Sequence, residues 1–110
     1  MRIERELMRG AGPAAVMRLL SGGEKYGYEM IRLLDRQSNG VLAMGQSTLY
    51  PLLYNLEAKG LIASREEIAD NGRPRKYYRL TNKGRRQLVR DRKQWEALSV
   101  AMGQLGILGA

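Results

Sequence analysis

Four leucines between positions 49 and 56 have the spacing of one buried face of an α-helix. They stand at i, i+3, i+4 and i+7, as Leu49, Leu52, Leu53 and Leu56. We predict a helix capped by Ser47, because an earlier start would place Pro51 in the helix interior, where it removes a hydrogen bond. Gly60 follows as the expected C-terminal stop.

The outward face of this predicted helix carries hydroxyl, amide and aromatic side chains and no carboxylate before Glu57. Such groups suit phosphate oxygens and base edges. The predicted DNA-binding residues on it are Ser47, Thr48, Tyr50, Pro51, Tyr54 and Asn55. Asn55 suits an adenine edge and the Thr48 methyl a thymine methyl, whereas Tyr50 either contacts phosphate or packs on a neighbouring hairpin. This pattern is typical of a recognition helix.

Helical periods also precede this stretch. We predict a short amphipathic helix over residues 2–9 and a second helix from Pro13 to Leu20, because proline suits the first position of a helix. A third helix is predicted from Tyr26 to about Gln37, with Tyr28 facing inward. Because helix N-termini favour phosphate, we also count Lys25 and Tyr26 among the DNA-binding residues.

The residues after Gly60 change to the two-residue period of β-strands. Residues 61–68 and 76–81 are the predicted strands, and residues 70–74 form a turn cluster with a hairpin-prone Asn-Gly pair. Three cations at this turn are expected to bind DNA phosphates, namely Arg73, Arg75 and Lys76. The predicted fold is therefore mainly α with a small β-hairpin, a winged helix-turn-helix domain.

From Thr81 the helical period returns, and we predict a long helix capped by Thr81 or Asn82 and ending at about Gln104. Apolar side chains recur on one side of it at heptad spacing. An exposed stripe of this length implies a second copy of the chain, unless the stripe packs back on its own helices. The predicted homodimer interface consists of Leu7, Leu88, Trp95, Leu98, Met102 and Leu105.

Two parts of the chain follow from these periods. Residues 1–81 form the predicted winged helix-turn-helix domain, with the N-terminal segment 1–12 joining the dimer interface. Residues 82–110 form the predicted C-terminal dimerisation helix. A chain of 110 residues is long enough for one modest core.

The charge of the chain favours a polyanionic partner. Nineteen Lys and Arg residues against 11 Asp and Glu residues give a net charge of +8. Residues 59–93 alone hold 12 basic and 4 acidic residues, a difference of +8. We expect double-stranded DNA first and an anionic membrane second, and a merely solvated surface is the remaining interpretation.

The missing residue types exclude several classes of function. The chain has no Cys and no His, which excludes disulfides, the usual zinc sites and thiol or imidazole catalysis. Glu66 and Glu67 are neighbours on a predicted strand and point to opposite faces, so they do not suit acid–base catalysis. We expect no enzyme, no catalytic residue, no metal and no cofactor. No apolar run spans a bilayer, so we expect a soluble, cytoplasmic protein without a membrane partner.

Several short segments occur in a fixed order and spacing. They are residues 26–30 (YGYEM), 47–53 (STLYPLL), 56–62 (LEAKGLI) and 72–81 (GRPRKYYRLT), followed by Gly84 and Trp95. With these segments the chain resembles the PadR-like family of winged helix-turn-helix transcriptional regulators along nearly its whole length. It resembles the short subfamily with a single C-terminal helix.

This resemblance implies a homodimer joined through the N-terminal segment and the last helix. It implies a recognition helix in each major groove, wings on flanking phosphates or the minor groove, and typically repression of a palindrome-like operator. Some members of the family bind planar aromatic small molecules at the dimer interface and then release DNA. Trp95 is the candidate ligand-binding residue here, because its two copies would face each other near the two-fold axis.

Two other classes of function stay open at this point. A sequence-neutral DNA-coating protein would use the same basic surface, with a steep salt dependence and little preference among sequences. A winged-helix protein-interaction module would instead tolerate the loss of Arg73, Arg75 and Lys76.

Overall fold

A computed structural model describes residues 1–109 of the chain, with four helices and three strands. The helices are α1 (Arg5–Leu20), α2 (Gly27–Gln37), α3 (Gln46–Ala58) and α4 (Asn82–Gln104). The strands are β1 (Lys25–Tyr26), β2 (Ile62–Ile68) and β3 (Pro74–Leu80), and β3 lies between β1 and β2 in one antiparallel sheet. This architecture confirms the predicted fold class. Ala110, the end of the predicted segment 82–110, lies outside the described residues.

One hydrophobic core joins α1, α2 and α3 to the sheet. Leu49, Leu53 and Leu56 of α3 are buried in it and Leu52 is partly buried, which confirms the predicted leucine face. The other fully buried side chains of high volume are Val16, Met17, Leu20, Met30 and Ile62. The sheet contributes Tyr78 and Leu80, which lie two residues apart on one face of β3.

The first two predicted helices are one continuous helix, so the predicted break before Pro13 is wrong. The buried residues Met8, Gly12, Val16 and Leu20 follow each other at four-residue spacing along a single face of α1. A side chain at Gly12 would lie 2.8 Å from Leu52 Cδ1, so glycine lets α1 approach α3 closely. This continuous packed face outweighs the one backbone hydrogen bond that Pro13 removes.

The start of α2 differs from the prediction in two ways. Lys25 and Tyr26 form the short strand β1, in which Tyr26 pairs with Tyr77 of β3, and the helix begins at Gly27. Tyr28 is 56% exposed, so its predicted inward position is wrong. Because Gly27, Met30 and Leu34 hold the buried face, Tyr28 lies one residue outside it.

The recognition-type helix α3 begins earlier than predicted. Gly45 is its N-cap without a side-chain hydrogen bond, so the predicted cap at Ser47 is wrong and Pro51 lies in the second turn. The predicted stop at Gly60 is confirmed. Gly60 takes a φ of +74°, and the backbone N–H groups of Gly60 and Leu61 donate to the carbonyls of Glu57 and Leu56 at 2.9 and 3.0 Å.

The junction between the sheet and α4 is built on Thr81 and Gly84. The Thr81 hydroxyl accepts the Gly84 N–H at 3.0 Å, which confirms it as the cap of α4, and donates to the Gly60 carbonyl at 2.7 Å. A side chain at Gly84 would lie 2.0 Å from the Leu61 carbonyl oxygen. The first turn of α4 therefore rests directly on the backbone that follows α3.

Beyond this junction α4 extends away from the core. Gly84 is its only buried residue among those described, Leu88 packs partly against the core, and the molecule measures 53 × 30 × 21 Å. The helix ends at Gln104 as predicted. Gly106 has a φ of +84°, and the Ile107 N–H donates to the Met102 carbonyl at 2.9 Å. Within residues 1–109, no helix is both long and apolar enough to cross a membrane.

Candidate nucleic-acid interface

The outward face of α3 is open to solvent along its whole length. All six residues predicted for DNA contact on it are exposed, and Tyr54 is the most open of the tyrosines at 73%. They are Ser47, Thr48, Tyr50, Pro51, Tyr54 and Asn55. Because Pro51 has no N–H for the Ser47 carbonyl, that oxygen is a further acceptor on this part of the helix.

Tyr50 packs over the start of α2. A side chain at Gly27 would lie 2.6 Å from the Tyr50 hydroxyl oxygen, so only glycine admits the ring there. Tyr50 and Tyr26 line one side of a cleft, and Arg73 and Lys76 of the hairpin line the other. Tyr50 therefore packs on the start of α2 and also lines the cleft beside the hairpin.

The hairpin β2–β3, called the wing below, closes in a tight turn. The Gly72 N–H donates to the Ala69 carbonyl at 2.9 Å and the Ala69 N–H to the Arg73 carbonyl at 2.8 Å, with a φ of +82° at Gly72. The Asn71 side-chain oxygen accepts the Arg73 N–H at 3.0 Å. This turn presents the exposed Arg73 side chain at the tip.

Arg75 is held by a row of side chains across the sheet. Its guanidinium carbon lies 4.2 Å from the centre of the Tyr26 ring, and that ring meets Tyr77 edge-on at 5.7 Å. On the far side of Tyr77, the Arg65 guanidinium carbon lies 4.8 Å from the ring centre. Arg65 Nε donates to both Glu24 carboxylate oxygens at 3.1 Å, and this hydrogen bonding lowers the pKa of Glu24.

This row positions one cation next to the start of α2. Arg75 and Tyr26 are in contact, so two residues predicted separately for DNA binding form one unit. Arg65, Tyr77 and Glu24 were not predicted. Strand alternation places Arg65 opposite Tyr77, but the link to Tyr26 depends on β1, which is too short to show a period.

The remaining predicted cations have partners within the chain. Lys76 Nζ lies 3.9 Å from Oε1 of Glu57, and Oε2 of the same carboxylate accepts the Ser64 hydroxyl at 2.5 Å. Lys25 Nζ donates to the Gly23 carbonyl at 3.3 Å and does not line the cleft between wing and α3. The structure thus brings Arg73, Arg75 and Lys76 together with α3 and leaves Lys25 apart.

The residues predicted for the dimer interface form an exposed apolar surface. Trp95 is 39% and Leu98 47% exposed, Leu7 and Leu105 are open to solvent, and Met102 is half-buried. Trp95 and Leu98 line a groove of about 570 Å³ whose opposite wall is α1, at Pro13 and Met17. Leu88 packs against the core of its own chain, whereas Trp95 and Leu98 leave part of their apolar surface exposed.

Comparison with known proteins adds independent information. The model of the transcriptional regulator PadR-like family matches residues 16–90. The chain is 36% identical over 95 residues to the transcriptional regulator Rv3488 of Mycobacterium tuberculosis, which covers 86% of this chain and 85% of that protein. It is similar to the crystal structure of a PadR family transcriptional regulator from Eggerthella lenta, with a TM-score of 0.80 and 36% identity over 94% of this chain and 88% of that chain. A transcriptional regulator from Clostridium thermocellum gives a TM-score of 0.83 and 25% identity over 90% and 96% of the two chains.

Proposed function

The chain belongs to the PadR-like family of transcriptional regulators, and on that premise we propose that it is a homodimeric repressor that binds a palindrome-like operator. The family consists of non-enzymatic DNA-binding regulators, so DNA binding in transcriptional control is the function of the chain.

The observation that carries the proposal is the open face of α3 beside the basic wing. The α3 face offers hydroxyl, amide and aromatic groups of a size that fits the major groove. The wing places Arg73 and Arg75 next to it, where they would neutralise phosphates of the same site. In this arrangement Asn55 and Thr48 read bases, and the wing cations supply affinity that does not depend on sequence.

Dimerisation through α4 would set the distance between two copies of α3. The apolar side chains from Trp95 to Leu105 are only partly covered within residues 1–109, and a second α4 is the partner with the matching pattern. Two recognition helices bind one face of DNA when they stand one helical turn apart, roughly 34–36 Å. Such a dimer would occupy the operator and exclude polymerase.

An effector would act on this spacing. We place a planar aromatic compound against Trp95, in the groove between α4 and α1. Such a compound releases DNA only if it binds better to a dimer with the wrong spacing than to the DNA-binding one.

The test of the main proposal is binding to DNA from upstream of the protein's own reading frame, beside a scrambled duplex of equal length. Both are titrated at low and at physiological salt. Preference that survives physiological salt supports a sequence-specific regulator, and the protected region supplies the operator. Equal binding that vanishes with salt would indicate a DNA-coating protein instead.

The effector is tested by fluorescence, because Trp95 is the single Trp of the chain. A panel of planar aromatic compounds should quench it, and calorimetry should show weaker binding to Trp95→Ala and intermediate binding to Trp95→Phe. No quenching across a broad panel, with the dimer intact, would refute the effector proposal.

A further inference from the structure

A second groove runs along α3 on the side away from the wing. It has a volume of about 680 Å³. The residues of α3 that line it include Thr48, Leu52, Asn55 and Lys59. Gln46 and Tyr50 line the cleft toward the wing instead. At about 100° per residue the two sets lie on opposite flanks of the helix, with Pro51 and Tyr54 between them.

The opposite wall of this groove is the N-terminal segment and the first two turns of α1. The Ile3 N–H donates to the Val41 carbonyl at 3.1 Å, Ile3 packs against the core and Met8 is buried in it. These contacts fix the segment beside the start of α3. Arg2, Arg5 and Arg9 line the groove from this wall.

The arginines and the predicted dimer residue of α1 point in different directions. Arg5 and Arg9 are four residues apart on one face of α1, and Arg2 lies in the segment that precedes this helix. Leu7 is two residues from Arg5 and Arg9 and lies about 160–200° away around the helix. One face of the segment is thus free to contact α4 of a second copy while the other lines the α3 groove.

The groove carries only positive charge. Its cations are Arg2, Arg5, Arg9 and Lys59, and no carboxylate of the described residues 1–109 lines it. Glu4 and Glu6 alternate with the arginines in sequence but are not among the lining residues. The ion pairs found within residues 1–109 use Arg65, Lys76 and Arg92, so the four groove cations have no acidic partner there. A cluster of this kind attracts a polyanion.

We infer that Arg2, Arg5 and Arg9, together with Lys59, bind phosphates of the DNA backbone on the flank of α3 opposite the wing. The inference rests on the proposed function. Thr48 and Asn55 belong both to the groove and to the face of α3 that meets the bases, so DNA seated on that face extends over the arginines. The recognition helix would then lie between two cationic flanks, the wing and this N-terminal flank, each on one edge of the major groove.

The experiment compares two triple variants with equal net charge. Arg2→Gln/Arg5→Gln/Arg9→Gln removes the N-terminal flank, and the control Arg86→Gln/Arg90→Gln/Lys93→Gln removes three exposed cations of α4. The logarithm of the DNA binding constant is plotted against the logarithm of salt concentration for the preferred duplex and the scrambled duplex. Sedimentation records the oligomeric state of each variant.

The slope should fall in magnitude by about two to three in the N-terminal variant, because each phosphate contact contributes about 0.9. The control should change it by less than about one on the same scale. The preference between the two duplexes should persist, since phosphate contacts carry no sequence information. Ethylation of the phosphates that contact this flank should weaken binding of the wild type. Ethylation of the same phosphates should not weaken binding of the N-terminal variant. Should the triple variant not fold, Arg5→Gln alone should lower the slope by about one.

The outcomes separate the two proposals. Wild-type protein that binds neither duplex overturns both of them. Wild-type protein that prefers its duplex, with an unchanged slope and ethylation pattern in the N-terminal variant, overturns the N-terminal flank alone. An N-terminal variant that is monomeric where the wild type is dimeric would place the arginines in the subunit contact and likewise overturn the inference.

Discussion

Helices α3 and α4 differ in which of their sides is buried within the chain. In α3 the apolar side is buried within the chain, with Leu53 only 1% exposed, and the polar side faces solvent. In α4 the apolar side from Trp95 onward faces solvent, and the buried part is the single residue Gly84. Both helices carry apolar residues at regular helical spacing. The spacing alone therefore does not tell which helix buries its apolar side within its own chain.

The difference shows what each helix contributes. A buried apolar side and an open polar side make α3 a fixed platform whose exposed groups are available to a polar partner. An anchored start and an open apolar side leave α4 available to another apolar surface. Mutations that remove comparable groups from the two helices should therefore act on different equilibria.

The largest contrast is expected between Leu53→Ala and Leu98→Ala. Leu53→Ala leaves a cavity in the core and should lower the free energy of unfolding by about 2–5 kcal/mol. Leu98→Ala should weaken the proposed dimer by about 1 kcal/mol per copy, because half of the side chain is already covered within one chain. Urea unfolding at low and high protein concentration separates the two effects. If both variants lose free energy of unfolding by an amount that does not depend on protein concentration, the two helices do not differ in this way.

A second prediction concerns the anchored start of α4. Gly84→Ala places a methyl group 2.0 Å from the Leu61 carbonyl oxygen, a backbone atom that does not move aside. The free energy of unfolding should fall by about 1–3 kcal/mol or more. Gly103→Ala in the same helix is the control, since its methyl group meets only the Leu108 carbonyl at 3.9 Å. It should be neutral or stabilise by up to about 1 kcal/mol.

The exposed side of α3 is tested with Asn55→Ala. If Asn55 reads an adenine edge, affinity for the preferred duplex should fall by about 1–3 kcal/mol, with little change on scrambled DNA. Gln37→Ala removes an exposed amide from the end of α2 and should leave both affinities unchanged. Fluorescence anisotropy with both duplexes measures the difference. Equal losses on both would refute base reading by Asn55.

The smallest expected effect belongs to Arg75→Ala. Affinity should fall similarly for all sequences, and the salt slope should decrease by about one phosphate contact. Arg75→Lys keeps the charge but not the planar group that stacks on Tyr26, so it should retain most of the slope. Salt titration of both variants checks this. A slope that Arg75→Ala leaves unchanged would show that the residue serves only the Tyr26–Tyr77 row.

Sequence periodicity predicted the strongly patterned elements well. The leucines of α3, the two long strands and the extent of α4 follow from repeated spacing, and the stop at Gly60 follows from its backbone freedom. The open face of α3 was predicted for the same reason, because it is the complement of the buried face. Each of these features depends on residues that are close in sequence.

The errors lie where distant residues decide the local structure. Pro13 stays inside α1 because contacts with α3 hold the helix on both sides of it. Strand β1 exists only through its pairing with β3, so the Arg75–Tyr26–Tyr77–Arg65 row was beyond reach. The cationic groove at the N-terminus depends on the Ile3–Val41 contact, which no periodicity encodes.

The junction at Thr81 and Gly84 fixes one end of α4 at the end of α3, and the rest of the helix extends away from this point. The helix has 23 residues, about 34 Å, and its start touches Gly60 and Leu61 directly. A tilt of about 5° at this junction moves the far end by about 3 Å over such a length. A displacement of the helix end near Leu105 therefore corresponds to a much smaller change in geometry at the end of α3.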